Sequence, residues 1–150
     1  MQELVDRINE ALVSSKDVAR EILSRLWIAH EENGHLEKCI IAHYMADACA
    51  EIAEELKWDK TAYDELDNIV EEEINIINLQ LTKKAFSASI CLNLSNSYFK
   101  NGDSENARKY VIEGIALADF MDDSGYADMV KSGLSRLVVK IEHAGWESEK

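Results

Sequence analysis

The chain has 150 residues, of which 47% are hydrophobic and 30% are charged, and its formal net charge is −13. A chain this acidic repels the phosphate backbone of nucleic acids and anionic membrane surfaces, which argues against both as partners, and it would steer a basic partner toward itself. There is no proline, and neither proline nor glycine occurs between Gly34 and Gly102. Such a run favours long helices over a β-sheet fold. At this length, one domain is the simplest expectation.

The cysteines and the N-terminal residues indicate the cellular compartment of the protein. Cys39, Cys49 and Cys91 are odd in number and lack paired spacing, which suits a reducing compartment. The first residues are charged throughout and contain no apolar signal core, and no stretch approaches the length of a membrane span. We therefore expect a cytoplasmic protein without a membrane anchor.

Helical periodicity dominates the first half of the chain. Residues 2–13 predict a short amphipathic helix, and Ser15 or Asp17 is placed to cap a second helix that stops at Asn33 and Gly34. Residues 35–70 predict a degenerate pair of helices. The apolar positions predicted to be buried in the second helix are Val18, Ile22, Leu23, Leu26, Trp27 and Ala29.

The apolar residues of segment 71–84 fit both the 3.6-residue period of a helix and the two-residue alternation of a strand. For this segment we predict a helix broken between Asn75 and Thr82.

Residues 89–120 predict two antiparallel helices joined by a tight turn at Asn101, Gly102 and Asp103. Gly102 can adopt the left-handed conformation that closes a helix, and Asp103 or Ser104 can cap the next one. A final helix follows a loop at residues 121–124 and is expected to end at Gly145. The apolar side of the pair is expected to hold Leu92, Leu94, Tyr98, Phe99, Ala107, Val111, Ile115 and Ala118. The final helix is expected to bury Tyr126, Met129, Val130, Leu134, Leu137, Val138 and Ile141 and to expose Lys131, Ser135, Arg136, Lys140 and Glu142.

Two motifs in this region resemble the tetratricopeptide (TPR) repeat. Residues 91–98 (CLNLSNSY) stand where the family has W-x2-L-G-x2-Y, and residues 107–111 (ARKYV) stand where it has A-x3-F. Gly114 occupies the small position of the second helix, and Asp119 stands where a proline often closes the unit. Residues 42–47, 54–59, 92–94 and 123–129 also resemble small bacterial TPR proteins.

The resemblance covers roughly residues 40–140 and implies an all-α, TPR-like right-handed helical repeat with extra helices at both ends. It places the clear repeat at 88–121, the degenerate pair at 35–70 and a C-terminal capping helix at 124–143, within a single domain 1–150. It implies protein or peptide binding and brings with it no reaction, cofactor or metal. We therefore expect a non-enzymatic protein.

In TPR proteins the first helix of each pair lines a concave groove. An asparagine there can bond the backbone amide of an extended peptide, Lys100 can meet a carboxylate, and Asp47 can meet a basic residue. We further expect His43, Asp47, Asn96 and Lys100 to face one shared concavity. By this resemblance the groove residues are Cys39, His43, Asp47, Ser89, Asn93, Asn96 and Lys100.

A metal site is a competing interpretation of His35, Cys39, His43 and Asp47. Their four-residue spacing moves each side chain about 40° around a helix, so they form a slowly drifting strip whose neighbours can share a zinc ion. One straight helix rarely supplies four ligands to one ion, and Cys39 and His43 border the apolar face, where both pack well. We therefore expect no metal.

Two further classes of function stay open. Arg25-x4-His30 loosely resembles the motif of HEPN ribonucleases, but Leu26 replaces the usual polar residue and the acidic balance is wrong for RNA. An acidic inhibitor or immunity-type protein that caps a basic partner is the stronger alternative. Capping by charge should weaken steeply as salt rises, whereas binding in a groove should weaken less.

Overall fold

The computed structural model describes residues 2–30, 34–76, 79–122 and 124–148, and these ranges contain seven α-helices and two short strands. The expected all-α class is confirmed. The helices are α1 (Gln2–Leu12), α2 (Lys16–Ala29), α3 (His35–Ala48), α4 (Ile52–Glu65), α5 (Lys83–Lys100), α6 (Ser104–Ala118) and α7 (Gly125–Ser148); a 3-10 turn (Leu66–Asn68) and strands β1 (Glu73–Ile76) and β2 (Leu79–Thr82) lie between α4 and α5.

The chain divides into two compact units, Met1–Gln80 and Leu81–Lys150. Each unit has its own succession of packed helices. The expectation of a single domain over 1–150 stays a prediction.

In the first unit each helix packs on the next, from α1 to α4. The hydroxyl of Ser15 accepts a hydrogen bond from the Val18 amide, which confirms the predicted cap of α2. Helix α2 ends at Ala29, and the predicted stop at Asn33 lies outside the described residues. The core of this unit includes Leu4, Ile8, Ala11, Ile22, Leu23, Leu26, Leu36, Ile40, Ile41, Ala42 and Met45.

The apolar face of α2 is narrower than predicted. Val18 is 45% exposed, and Trp27 is half-buried, with its ring edge-on to Trp58 of α4 at 5.1 Å between centroids. Ala29 is exposed at the end of the helix. An apolar residue at the border of a helical stripe is therefore covered only where a neighbouring helix reaches it.

The predicted helical pair at 35–70 is present as α3 and α4, which pack against each other. The two helices are buried very unequally. Helix α3 has buried residues all around its axis, whereas α4 buries only Asp59 and Ala62. Helix α4 therefore packs against its unit along one side and exposes the other side to solvent.

The predicted broken helix between residues 71 and 84 is wrong. Strands β1 and β2 pair there instead, and the boundary between the two units falls within β2. Ile74 is fully buried while Glu73 and Asn75 beside it are exposed, which is the alternation of a half-buried strand. Since a short apolar run satisfies both periods, sequence pattern alone does not separate strand from helix here.

The second unit contains the predicted pair as α5 and α6. Gly102 has φ +81°, the left-handed conformation expected of it, and the Asp103 carboxylate accepts a hydrogen bond from the Asn106 amide at 3.1 Å. Thr82 caps α5 in the same way through the Ala85 amide. The core shared by α5, α6 and α7 contains Ala88, Ala107, Val111, Ala118, Val130, Leu134, Leu137 and Ile141.

Small residues let α5 and α6 approach closely. Ala107 is fully buried, and its carbonyl accepts a hydrogen bond of 2.6 Å from the Ser95 hydroxyl of α5. Farther along, the rings of Tyr98 and Tyr110 stack at 5.6 Å between centroids. Near the turn, the contact between these helices is therefore set by a small buried side chain and a stacked aromatic pair.

The last helix is longer than predicted, because α7 continues past Gly145 to Ser148. Two of the apolar residues predicted to be buried in this unit are exposed: Met129 of α7 is 59% exposed and Ile115 of α6 is 39% exposed. In the part of the chain that the structure describes, no helix combines the length and the apolar character that crossing a membrane requires.

Replacing Ala107 tests the close contact of α5 and α6. Ala107→Leu inserts three carbons into a fully buried position, and overpacking of this kind costs about 1–3 kcal/mol of unfolding free energy. Urea or thermal unfolding measures the loss. Ala53→Leu, at an exposed alanine of α4, is the matched control and should change stability by less than about 0.5 kcal/mol. Equal stability of Ala107→Leu and the native protein would show that this register is wrong.

Candidate functional site

A cleft of about 240 Å³ opens between α5 and α7 of the second unit. It brings together side chains that are more than thirty residues apart in sequence. The residues that line it are Leu92, Asn93, Asn96, Gly133, Arg136, Leu137 and Lys140. We refer to it as the α5/α7 cleft.

The floor of the α5/α7 cleft exists because Gly133 lacks a side chain. A Cβ at that position would lie 2.9 Å from Cδ2 of Leu92, which is closer than side chains tolerate. Leu137 is buried one turn further along α7. The two helices therefore touch through Leu92 and Gly133, and the space beside this contact is lined by longer polar side chains.

Helix α5 contributes two amides to the cleft, from Asn93 and Asn96. The two residues are three positions apart, so their side chains lie on the same face of the helix one turn apart, and both are half-buried. Each amide group supplies donors and an acceptor, the combination that a peptide backbone needs. The structure thus brings two of the predicted site residues together on one wall of one cleft.

Helix α7 contributes two cations, from Arg136 and Lys140, both exposed at the mouth of the cleft. We predicted both on the polar outer face of a capping helix and missed this location. The available signal was their spacing: Gly133, Arg136, Leu137 and Lys140 recur at helical intervals on one side of α7. Recognising it required knowing which side of α7 approaches α5.

The other two predicted residues of α5 lie outside this cleft. Ser89 is only 8% exposed, and its hydroxyl is hydrogen-bonded to the Tyr126 hydroxyl of α7. That bond satisfies a polar group in the interior, so the role of the Ser89 hydroxyl is structural. Lys100 is exposed in the last turn of α5, where a positive charge favours the helix dipole.

In the first unit, Cys39 is in the core and does not line a groove. Its side chain is completely buried, and its thiol donates a hydrogen bond of 3.2 Å to the Ala62 carbonyl of α4. Burial raises the pKa of the Cys39 thiol far above its usual range, with a smaller contribution from Glu65. The expected surface position of Cys39 is therefore corrected.

His43 and Asp47 lie one turn apart on α3. Asp47 is exposed and lines a second cleft, of about 180 Å³, that is bounded by α1, α2 and α3 and also contains Tyr44 and Lys16. His43 is half-buried, with its ring edge-on to Tyr44 at 5.0 Å. Removal from water lowers the pKa of His43, and the Asp47 carboxylate opposes that change only in part.

The predicted residues therefore fall into two groups. His43 and Asp47 belong to the first unit, and Asn96 and Lys100 belong to the second. A concavity shared by all four stays a prediction. Of the predicted set, Asn93 and Asn96 are the pair that one cleft contains.

The competing interpretations gain no geometric support. Among the described residues, no three His, Cys, Asp or Glu side chains are grouped so that they could hold a metal ion. The guanidinium of Arg25 donates to Glu21 at 2.6 Å on the same helix, and His30 closes that helix. Neither arrangement assembles a site around the residues that suggested it.

Comparison with protein families, with curated proteins and with solved structures found no match for this chain.

The pH dependence of the free energy of unfolding should reflect the protonation of His43. Because its pKa is lowered on folding, the unfolded state binds more protons once the pH falls below about 6.5, and the free energy of unfolding then decreases. Between pH 7.5 and 5.5 this contribution is at most about 1.4 kcal/mol. Urea unfolding of His43→Asn should show a flatter dependence over that range than the native protein. A native dependence in His43→Asn would contradict this assignment.

Metal analysis tests whether His35, Cys39, His43 and Asp47 of α3 bind a metal ion. We expect protein purified without added metal to contain no stoichiometric zinc or iron, because Cys39 is committed to the Ala62 carbonyl and its thiol strongly resists ionisation. Elemental analysis of the native protein and of His43→Ala gives the answer. Stoichiometric metal that disappears in His43→Ala would establish a metal site.

Proposed function

We propose that the protein is a non-enzymatic, TPR-like binding protein that holds an extended peptide segment of a partner in the α5/α7 cleft. The observation that carries the proposal is the composition of this cleft. Two amides on one wall face the side of α7 that bears two cations, over a floor made by Leu92 and Leu137. These groups recognise a peptide backbone and a carboxylate, and the cleft contains no nucleophile or acid–base pair among the residues that line it.

The TPR-like arrangement is supported by the way the second unit is packed. Consecutive helices α5, α6 and α7 each contact the other two, as expected for one helical pair followed by the first helix of the next. Positions matched to the family motifs, Leu94, Ser95, Ala107 and Val111, are all buried. In that interpretation α5 and α7 are both first helices, and the cleft between them lies on the groove side of the repeat.

The proposed recognition has two parts. Asn93 and Asn96 exchange hydrogen bonds with backbone amides of the peptide, which each have one donor and one acceptor. Arg136 and Lys140 bind a carboxylate, either an acidic side chain or the C-terminus, and the guanidinium of Arg136 can do so through two parallel hydrogen bonds. Peptides carrying a carboxylate should therefore be preferred.

Selection from a displayed peptide library identifies ligands directly, and titration calorimetry then measures the affinity of each variant for them. Asn96→Ala should leave the fold intact, because a substitution at this partly exposed site usually costs within about 0.5 kcal/mol of unfolding free energy. It should weaken the selected peptides about five- to tenfold, since polar groups of the bound peptide lose their partner. Arg136→Ala and Lys140→Ala should act similarly on carboxylate-bearing peptides, and Lys100→Ala tests whether the site extends to the end of α5.

Lys131→Ala is the matched control, because Lys131 lies on α7 but does not line the cleft. It should bind the selected peptides as the native protein does. Native affinity in Asn96→Ala and Arg136→Ala together would refute the proposal, as would equal losses in Lys131→Ala.

A second candidate function rests on charge. The first unit, Met1–Gln80, carries nineteen Asp and Glu against seven Lys and Arg, whereas Leu81–Lys150 carries ten against nine. A basic protein would thus be attracted to the first unit, as an acidic inhibitor attracts its target. A partner captured in this way should dissociate steeply as salt rises and should be insensitive to Asn96→Ala.

A further inference from the structure

Two stretches without acidic residues form the walls of the α5/α7 cleft. Residues 74–102, which include the whole of α5, contain no Asp or Glu, and neither do residues 129–141 of α7. The chain as a whole has 29 acidic residues, but none of the described residues that line the cleft is among them. The cleft is therefore a positively charged part of an acidic protein, and its charge favours an anionic ligand.

The two cations of the cleft are not neutralised by their neighbours on α7. Arg136 and Lys140 are four residues apart, so their side chains lie one turn apart on the same side of the helix. Among the described residues, neither cation forms an ion pair or a hydrogen bond. Like charges at this spacing repel each other, so a bound group that compensates both is favoured. The other positions three or four residues from either cation hold Ser132, Gly133, Leu137, Val139, His143 and Ala144.

The acidic residues of α7 do not compensate these cations either. Glu142 is two positions from Lys140, and side chains two apart on a helix do not face each other. Glu147 is seven positions after Lys140, which is about 10 Å of helix. Asp128 is eight positions before Arg136, which is about 12 Å. Both distances exceed the screening length of about 8 Å at physiological ionic strength.

The opposite wall of the cleft adds a hydrogen-bond donor. Asn96 of α5 is half-buried, and among the described residues its amide has no hydrogen-bond partner. Its N–H groups can donate to an anionic oxygen, as can the ammonium of Lys140 and the planar fork of the Arg136 guanidinium. Three side chains on two helices thus contribute N–H donors to one cleft.

We propose that the α5/α7 cleft binds a phosphorylated residue of the partner peptide, whose phosphoryl group is held by Arg136, Lys140 and Asn96. This inference rests on the peptide-binding function proposed above and names the group that the two cations bind. A phosphoryl group carries about −1.5 to −2 charges at pH 7 and has three strong acceptor oxygens. It compensates both cations and accepts from all three side chains, whereas a carboxylate has a single charge and two oxygens.

The floor of the cleft favours a phosphopeptide over a free phosphate ion. The cleft of about 240 Å³ has the volume of about eight water molecules at about 30 Å³ each, which is more than one phosphate ion fills. Leu92 and Leu137 line the remaining space. Apolar side chains offer nothing to a hydrated inorganic ion, but they pack against the carbon atoms of a peptide.

Three versions of one peptide measure the preference for a phosphoryl group. A peptide selected from the displayed library for binding through an acidic side chain is synthesised with phosphoserine, glutamate or serine at that position. Titration calorimetry with the full chain should show the phosphoserine version binding at least about tenfold tighter than the glutamate version, because the additional charge and oxygen engage the second cation. Equal affinity of these two versions overturns the inference and leaves the proposed function standing.

Variants matched in charge locate the phosphoryl group. Arg136→Gln and Lys140→Gln each remove one cation and should lower the preference for phosphoserine over glutamate from about tenfold to about twofold. Lys131→Gln removes the same charge from α7 outside the cleft and should keep the native preference. Arg136→Lys keeps the charge but loses the fork, so it should also bind the phosphoserine peptide more weakly. An unchanged preference in Arg136→Gln, or an equal loss in Lys131→Gln, overturns the inference; circular dichroism verifies that each variant is folded.

Small anions test the same site without a peptide. In NMR titrations of the full chain at constant ionic strength, inorganic phosphate should shift the side-chain amide signals of Asn96 with a dissociation constant of about 1–20 mM, and acetate should give no saturable shift. Equal responses to phosphate and acetate overturn the inference. Inorganic phosphate that binds as tightly as the phosphoserine peptide overturns the assignment to a peptide. The proposed function fails separately, if the glutamate peptide binds Asn96→Ala and Arg136→Ala as it binds the native chain.

Discussion

The second unit depends on one close approach, the meeting of three helices at Gly114. A Cβ at this position of α6 would lie 2.9 Å from Cδ2 of Leu134 in α7 and 3.1 Å from Cβ of Cys91 in α5. Helices α5 and α7 can therefore both press against the backbone of α6, and their separation from each other is fixed as a result. The contact of Leu92 with Gly133 repeats the same device between α5 and α7. The α5/α7 cleft is the space left beside these contacts, and the outward side of α6 is what they leave uncovered.

Much of the fold could be predicted because the relevant signals are local. Helical spacing of apolar residues, the caps at Ser15 and Asp103, and the left-handed Gly102 all act within a few residues. The paired strands around Ile74 could not be separated from a helix, because a short apolar run fits either period. Ile115 and Met129 were wrongly expected to be buried, since periodicity shows that a helix has an apolar side but not how far its neighbours extend around it.

The candidate site was predictable only where the family resemblance supplied a register. That register placed Asn93 and Asn96 on the groove side of α5, and both line the cleft. It failed for Cys39, because a small thiol at the border of an apolar stripe is readily enclosed when a neighbouring helix such as α4 packs over it. Arg136 and Lys140 were missed for the converse reason. A cation on an amphipathic helix looks solvated in sequence, and only the packing of α7 against α5 through Gly133 brings these two to a cleft.

The distribution of charge makes these surfaces compatible with a net charge of −13. At physiological ionic strength, charges on the surface are screened over about 8 Å, so a ligand responds to the groups near its site and not to the total charge of the chain. Nearly all of the excess acid lies in Met1–Gln80. The cleft that we assign to a carboxylate-bearing peptide lies in the almost neutral Leu81–Lys150. An acidic ligand at this cleft is therefore not opposed by the overall charge, and the acidic first unit stays available for a basic partner.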